Sequence, residues 1–166
     1  MEIRCLTASD AVAYRELRLA ALREHPLAFV TDYREEAALD FEGFEKRLAS
    51  DISDTWGAFD EGRLVGIATL LRTVRLRQRF RATIVGMYVP AEFRRRGIAT
   101  QLLAACISRA RELPEIEEVC LCITVGNDAA REAYVKFGFR PEFVAPREFK
   151  HEGRYYDIEW LRLPLG

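Results

Sequence analysis

The run Val89-Pro90-Ala91-Glu92-Phe93-Arg94-Arg95-Arg96-Gly97-Ile98-Ala99-Thr100 constrains the fold more than any other part of the chain. It joins Ala82–Val89 (ATIVGMYV), rich in residues that strands prefer, to Ile98–Leu113, where Ala99, Leu103, Cys106 and Ala110 recur at helical spacing. Glu118–Val125 follows as an apolar strand carrying two cysteines. A strand, a basic turn, a helix and a buried strand in succession require a mixed α and β architecture. The turn is chemically unusual as well. Three arginines stand where a helix begins, although the helix dipole disfavours cations there, so an anion is needed to justify them. First-turn N–H groups have no intrahelical partner. Gly97 lets the backbone approach a ligand closely, and Ala99 keeps side-chain bulk away. Together they read as a cradle for a pyrophosphate.

The rest of the chain is organised around that unit. Glu2–Leu6 alternates as an opening strand, and Thr7-Ala8-Ser9-Asp10 supplies helix-start residues. Ala13, Leu17, Ala20 and Ala21 fall on one helical face, and His25-Pro26 ends that helix. Leu27–Asp40 has no clear period, and a second helix is predicted at Phe41–Ser50. Trp56–Phe59 and Leu64–Leu71 flank Asp60-Glu61-Gly62-Arg63, a strong hairpin signal. After the central unit, Asp128–Phe137 is helical with a stripe of Ala130, Ala133, Tyr134 and Phe137, and Gly138 caps it. Phe139–Val144 and Arg154–Leu163 close the chain as strands around a His151-Glu152-Gly153 turn. No repeat, low-complexity tract or linker interrupts the sequence, and one domain over residues 1–166 is expected.

Composition narrows the function classes. Lys and Arg number 25 against 26 Asp and Glu, a net charge of −1, which argues against nucleic acid as the main partner. Arg72–Arg81 (RTVRLRQRFR) alternates Arg with apolar residues and reads as a strand with a solvated basic face. Cys5, Cys106, Cys120 and Cys122 form no C-x-x-C pair, and with two histidines a zinc site is not expected. Reduced thiols packed in a core account for them. The opening MEIRCLTASD has no signal-peptide character and no apolar run reaches membrane-spanning length, so a cytoplasmic location without a membrane partner is expected.

Arg94-x-x-Gly97-x-Ala99, placed after Met87-Tyr88-Val89-Pro90, resembles the [QR]-x-x-G-x-[GA] signature of the GNAT superfamily of N-acetyltransferases. Asn127-Asp128-Ala129-Ala130-Arg131-Glu132-Ala133-Tyr134-Val135-Lys136-Phe137-Gly138-Phe139 is similar to that family's N-x-x-A-x-x-x-Y-x-x-x-G-F segment. The resemblance implies an α+β fold: a single GNAT-like domain with a central mixed, mostly antiparallel, twisted sheet of about seven strands flanked by about four helices. It implies acetyl-CoA as donor, no metal, and a small-molecule amine or a protein or peptide amine as acceptor. The backbone of Met87, Tyr88 and Val89 would pair with the pantetheine arm as an added strand. Backbone N–H groups of Arg95, Arg96, Gly97, Ile98, Ala99 and Thr100, with the Thr100 hydroxyl, would hold the pyrophosphate. Asn127 and Ala130 would line the arm, and Tyr134 would face the thioester sulfur as general acid. The same family pattern has Ala82–Val89 and Glu118–Val125 splaying apart to admit the donor, with a β-bulge near Val89.

The general base is not legible. Ile84-Val85-Gly86-Met87 lacks the glutamate that many members carry there, leaving Glu35, Glu36, Asp157 or relaying water as candidates, each carboxylate also readable as a solvated surface charge. In this fold the acceptor site is built by Leu27–Ala38 and Pro146–Tyr156, where Phe29, Tyr33, Glu35, Glu36, Phe149, Tyr155, Tyr156 and Asp157 mix aromatics with carboxylates suited to a cationic amine. Rival readings are a non-catalytic acyl-CoA-binding sensor, a transferase of longer acyl groups, and nucleic-acid binding through Arg72–Arg81. Exposed strand edges leave room for a homodimer.

Overall fold

Seven strands share one sheet in a computed structural model that describes residues 1–166. They are β1 (Glu2–Cys5), β2 (Ser53–Asp60), β3 (Arg63–Arg72), β4 (Arg81–Tyr88), β5 (Glu118–Thr124), β6 (Arg140–His151) and β7 (Arg154–Pro164). Their order in the sheet is β1-β2-β3-β4-β5-β7-β6. Every neighbouring pair is antiparallel except β4 and β5. That exception follows from the chain between them, since the helix α4 (Ile98–Arg111) carries it back across the sheet and lets β5 start at the same end as β4. The other helices are α1 (Ala11–Glu24), α2 (Tyr33–Ala37), α3 (Phe41–Leu48) and α5 (Asp128–Lys136).

The sheet is covered on both faces. On one, Ile98, Leu102, Leu103, Cys106, Ile107 and Ala110 of α4 pack on Val65, Ala68, Leu70, Val119, Leu121 and Leu161. On the other, Ala11, Tyr14 and Ala21 of α1 join Phe44 and Leu48 of α3 against Leu64 and Ile67. β3, buried on both faces, is correspondingly apolar along almost its whole length. The β2–β3 turn takes positive φ at both Glu61 (50°) and Gly62 (80°), the backbone that a two-residue hairpin with native twist needs.

Three features differ from expectation. Arg72–Arg81 is not a strand. β3 pairs with β4 as far as Arg72 with Ala82, so the intervening residues must reverse the chain and do so through a short 3₁₀ turn at Leu76–Gln78. Its end arginines are ion-paired, Arg72 to Asp54 and Arg81 to Glu118, while Arg75, Arg77 and Arg79 are exposed. The buried residues of α1 are Ala11, Tyr14, Arg18, Leu19, Ala21 and Leu22, with Ala13, Leu17 and Ala20 at their margin. Tyr14 meets Phe44 edge-on, and Arg18 finds a buried carboxylate, so two residues that hydropathy sends outward lie inward. The unassigned stretch contains α2, whose Asp32 caps the Arg34 N–H at 2.8 Å while Glu35 accepts from the Asp32 N–H at 3.3 Å. A five-residue helix is too short to present a period.

Candidate active site

The site begins where the one parallel ladder ends. β4 and β5 pair only at Arg81 with Glu118, Ala82 with Val119 and Thr83 with Cys120. Beyond Thr83 they diverge, leaving the β5-facing edge of Ile84–Tyr88 open while the opposite edge stays bonded to β3. The β3–β4 register slips between Ile67 and Thr69, so Gly86 and Met87 form a bulge shortly before Val89. Gly86 takes φ +65°, which a residue with a side chain rarely adopts. The bulge turns this end of β4 into the cleft.

The turn that follows is built by its own side chains. Ala91–Phe93 make one 3₁₀ turn, Arg95 takes φ 60°, and Gly97, with φ 76°, is the residue before α4. Arg94 donates from Nε to the Val89 carbonyl at 2.9 Å, and its Nη2 lies 2.8 Å from His25 Nε2. Arg96 donates to the Glu92 carbonyl at 3.2 Å, lies 3.7 Å from Asp60, and its guanidinium stacks on Phe93. The side chain of Arg95 is exposed. Two of the three arginines therefore brace the turn. The first intrahelical bond runs from the Gln101 N–H to the Gly97 carbonyl, 3.0 Å, and no side chain caps α4. The N–H groups of its first turn are left to face a ligand.

A cavity of about 520 Å³ runs from this helix end into the cleft, walled by His25, Phe29, Met87–Val89, Arg94, Ala99, Thr100, Leu103, Asn127, Ala130, Tyr134 and Phe137 among others. A small cavity of about 190 Å³ at the turn itself adds Arg95, Gly97 and Ile98. Of the cofactor-contacting residues expected from sequence, only Arg96 lines neither, because its side chain turns back to Phe93 and Asp60. A further cavity of about 270 Å³ opens on the other side of Met87 and Tyr134, between the diverging strands, and shares Ala28, Phe29, Asn127 and Ala130 with the first.

Tyr134 stands in the wall between the two. Its hydroxyl lies 3.4 Å from Met87 Sδ, and its ring meets Phe139 edge-on. Burial pushes the phenol up to about 12, with the Cys122 and Cys106 thiols adding to the same direction, so it carries its proton throughout the physiological range. Burial raises the thiol of Cys122, which lines the adjoining cavity, in the same direction. A thiolate forming here would be raised likewise, which keeps phenol and thiolate comparable in basicity. Asn127 accepts from the Ala130 N–H at 3.3 Å, capping α5 and seating Tyr134 about two turns on.

The three carboxylates considered as bases line none of these cavities. Glu35 serves the α2 cap, and Asp157 accepts from the Arg147 N–H at 2.8 Å, supporting the left-handed Arg147 (φ 54°) in β6. Glu36 is not solvated; it is 3% exposed and paired with Arg18 and Arg47. Sequence reasoning missed Arg18, His25 and Leu103 as cleft residues. His25 and Arg18 come from α1 and its end, far along the chain from β4, and carry no local signal of that placement. No three His, Cys, Asp or Glu side chains converge as a metal site needs, and no helix is long and apolar enough to cross a membrane.

The model of the acetyltransferase (GNAT) family matches residues 15–139. YdaF of Bacillus subtilis (strain 168), named as a candidate ribosomal N-acetyltransferase, is 28% identical over 155 residues, 93% of this chain and 71% of that protein. A ribosomal-protein-alanine N-acetyltransferase from Brucella melitensis superposes with a TM-score of 0.87 at 25% identity, over 99% of this chain and 100% of that one. The fold is also that of yncA from Salmonella typhimurium, a structure described with its cofactor acetyl-CoA, at a TM-score of 0.83 and 20% identity over 100% of this chain and 94% of that one.

Proposed function

The chain belongs to the GNAT acetyltransferase family, and on that premise we propose that it moves the acetyl group of acetyl-CoA to a primary amine, on a small molecule or a protein, by direct attack in a ternary complex. The observation that carries this reading is the protonated Tyr134 hydroxyl, 3.4 Å from Met87 Sδ at the junction of the two cleft cavities. The chain fits the donor on three counts: uncapped first-turn N–H groups of α4, the open edge of β4 beyond Thr83, and a cavity that joins them. Acetyl-CoA supplies an activated thioester when bound. N–H groups from Arg95 to Thr100, with the Thr100 hydroxyl, hold the pyrophosphate, while Arg94 is spent on holding Val89 and His25 in place. The free edge at Met87–Val89 orients the pantetheine arm, and Asn127 and Ala130 close over it.

Tyr134 donates its proton to the departing sulfur. Neither cleft cavity is lined by a carboxylate, so the amine arrives neutral and loses its proton to water. The test is CoA release from acetyl-CoA across a panel of primary amines, with Tyr134→Phe alongside. Loss of a general acid slows turnover by about 10²–10⁴-fold, and the acetyl-CoA Kd stays unchanged. Tight acetyl-CoA binding with no CoA released to any amine would identify a sensor instead. Full turnover by Tyr134→Phe would remove Tyr134 from the chemistry.

A further inference from the structure

The cavity beyond Tyr134 contains one charged side chain, Arg18. The rest of its lining is largely apolar, with Phe29, Ile84, Met87, Leu121 and Ile123 prominent. Arg18 lies on α1 and is 8% exposed. Its Nε reaches Glu36 Oε1 at 3.4 Å, and its guanidinium sits 4.9 Å from the centre of the Phe29 ring. Its Nη1 is wholly buried and has no hydrogen-bond partner. An orphaned donor on a buried cation is among the costliest arrangements in a protein interior. Nη1 points towards the bulge: a Cβ built on Gly86 would come within 3.8 Å of it. The absent side chain at Gly86 leaves that space clear.

The charge count points the same way. Glu36, 3% exposed, holds both Arg18 and Arg47 through its Oε1, so two guanidiniums share one carboxylate. The cluster retains one positive charge in excess, and the unpartnered Nη1 lies just behind Gly86 in the wall of the cavity that both residues line. A neutral carbonyl would satisfy the hydrogen bond but leave the charge. A carboxylate would satisfy both, with a charge-assisted bond. At about 270 Å³ the cavity lies just below the usual range for ligand sites, suited to a small acceptor.

We propose that Arg18 binds a carboxylate on the acceptor, and that the acceptor is a small amino carboxylate, not the polycationic amine that acidic residues would attract. The proposal rests on the acetyltransferase reading and names its substrate class. Arg18 acts as a specificity residue: the carboxylate is untouched while the amine nitrogen bonds to the acetyl carbon and the carbon–sulfur bond breaks. Its nearby positive charge also favours the uncharged amine, consistent with the lack of a carboxylate base.

The experiment compares L-amino acids, their carboxamides and the matching decarboxylated amines as acceptors, in wild type, Arg18→Met and Arg18→Lys. In wild type, kcat/KM for the acids should exceed that for amides and amines by about ten- to a hundredfold, the range of one charge-assisted hydrogen bond. Arg18→Met should abolish that ratio, and Arg18→Lys should retain part of it. Acetyl-CoA affinity should stay constant in both, which also certifies folding. A purely structural arginine would lower all three substrate classes together and leave the ratio intact, overturning the proposal; so would a wild type that prefers the amides. A second readout needs no turnover: binding of N-acetyl amino acids and of their amides to the CoA-loaded protein by calorimetry. A carboxylate preference there, lost in Arg18→Met, with no amine turned over, would sink the acetyltransferase reading and leave the carboxylate site standing.

Discussion

Glu118→Gln tests the hinge of the cleft. Glu118 occupies the first of the three β4–β5 pairs, directly opposite Arg81, and accepts from Arg81 Nε at 2.6 Å and Arg162 Nη1 at 3.1 Å. Its carboxylate is 12% exposed, whereas Arg81 and Arg162 are 43% and 39% exposed. Glutamine keeps the shape but removes the charge. Two ion-paired bonds of about 1.5–3 kcal/mol each become weaker bonds from charged arginines to a neutral amide oxygen, about 1–1.5 kcal/mol each. The half-exposed arginines recover hydration, which discounts the loss. A net cost of about 2 kcal/mol follows, equivalent to about 4–8 °C in Tm for a chain of this size. Burial pushes the Glu118 carboxyl up, but hydrogen bonds from Arg81 and Arg162 outweigh it and hold it below its ordinary value of 4.5. Its contribution is therefore complete at neutral pH and fades as pH falls below 4.5, so wild type and variant should converge in acid. Thermal melts at pH 7 and at pH 4 measure both effects, and an acetyl-CoA titration should show several-fold weaker binding as the strands loosen. A Tm change under about 1 °C at pH 7, or an equal gap at both pH values, would refute the assignment of hinge strength to this carboxylate.

Asp10→Asn probes a second acid-sensitive pair. The hydrogen bond from Arg4, 2.7 Å to Oδ1, holds this carboxyl down to about 2 from its ordinary 3.8, worth roughly 2 kcal/mol at neutral pH and lost as pH falls from 3.8 towards 2. The variant should melt lower at pH 7 and show a flatter acid limb in a pH series of thermal melts. Gly97→Ala meets nothing nearer than Gln101 Nε2 at 3.8 Å, so its cost is the left-handed backbone alone, about 1 kcal/mol. Its added methyl would crowd the N–H cradle and weaken acetyl-CoA binding about tenfold by calorimetry, against an unchanged acceptor ratio between acids and amides.

Much of the fold is readable locally. The Asp60–Arg63 hairpin, the α4 and α5 stripes and the closing strands each depend on neighbours in sequence, and their bounds are met within a few residues except at β6, which runs on past Val144 to His151. Arg72–Arg81 shows where that fails: alternation marks a strand only if a partner lies alongside, and the β3–β4 reversal leaves none. Met87–Val89, the Arg94–Thr100 turn, Asn127 and Tyr134 are legible as the proposed donor site because each lies in a contiguous motif. Arg18 and Glu36 are not legible, since an arginine in a helix and a glutamate in a stretch without a period look solvated until tertiary packing buries both.

The order of side chains along the chain was enough to determine an α+β sheet with a basic turn feeding a helix, because hydropathy period, turn residues and helix-end chemistry act over a few residues. Only tertiary structure decided where β4 and β5 part, that Arg94 braces Val89 instead of greeting an anion, and that the cavity beyond Tyr134 is lined by the buried Arg18. Those outcomes depend on charges and strands brought together across long stretches of chain, where desolvation and register, not local pattern, set the result.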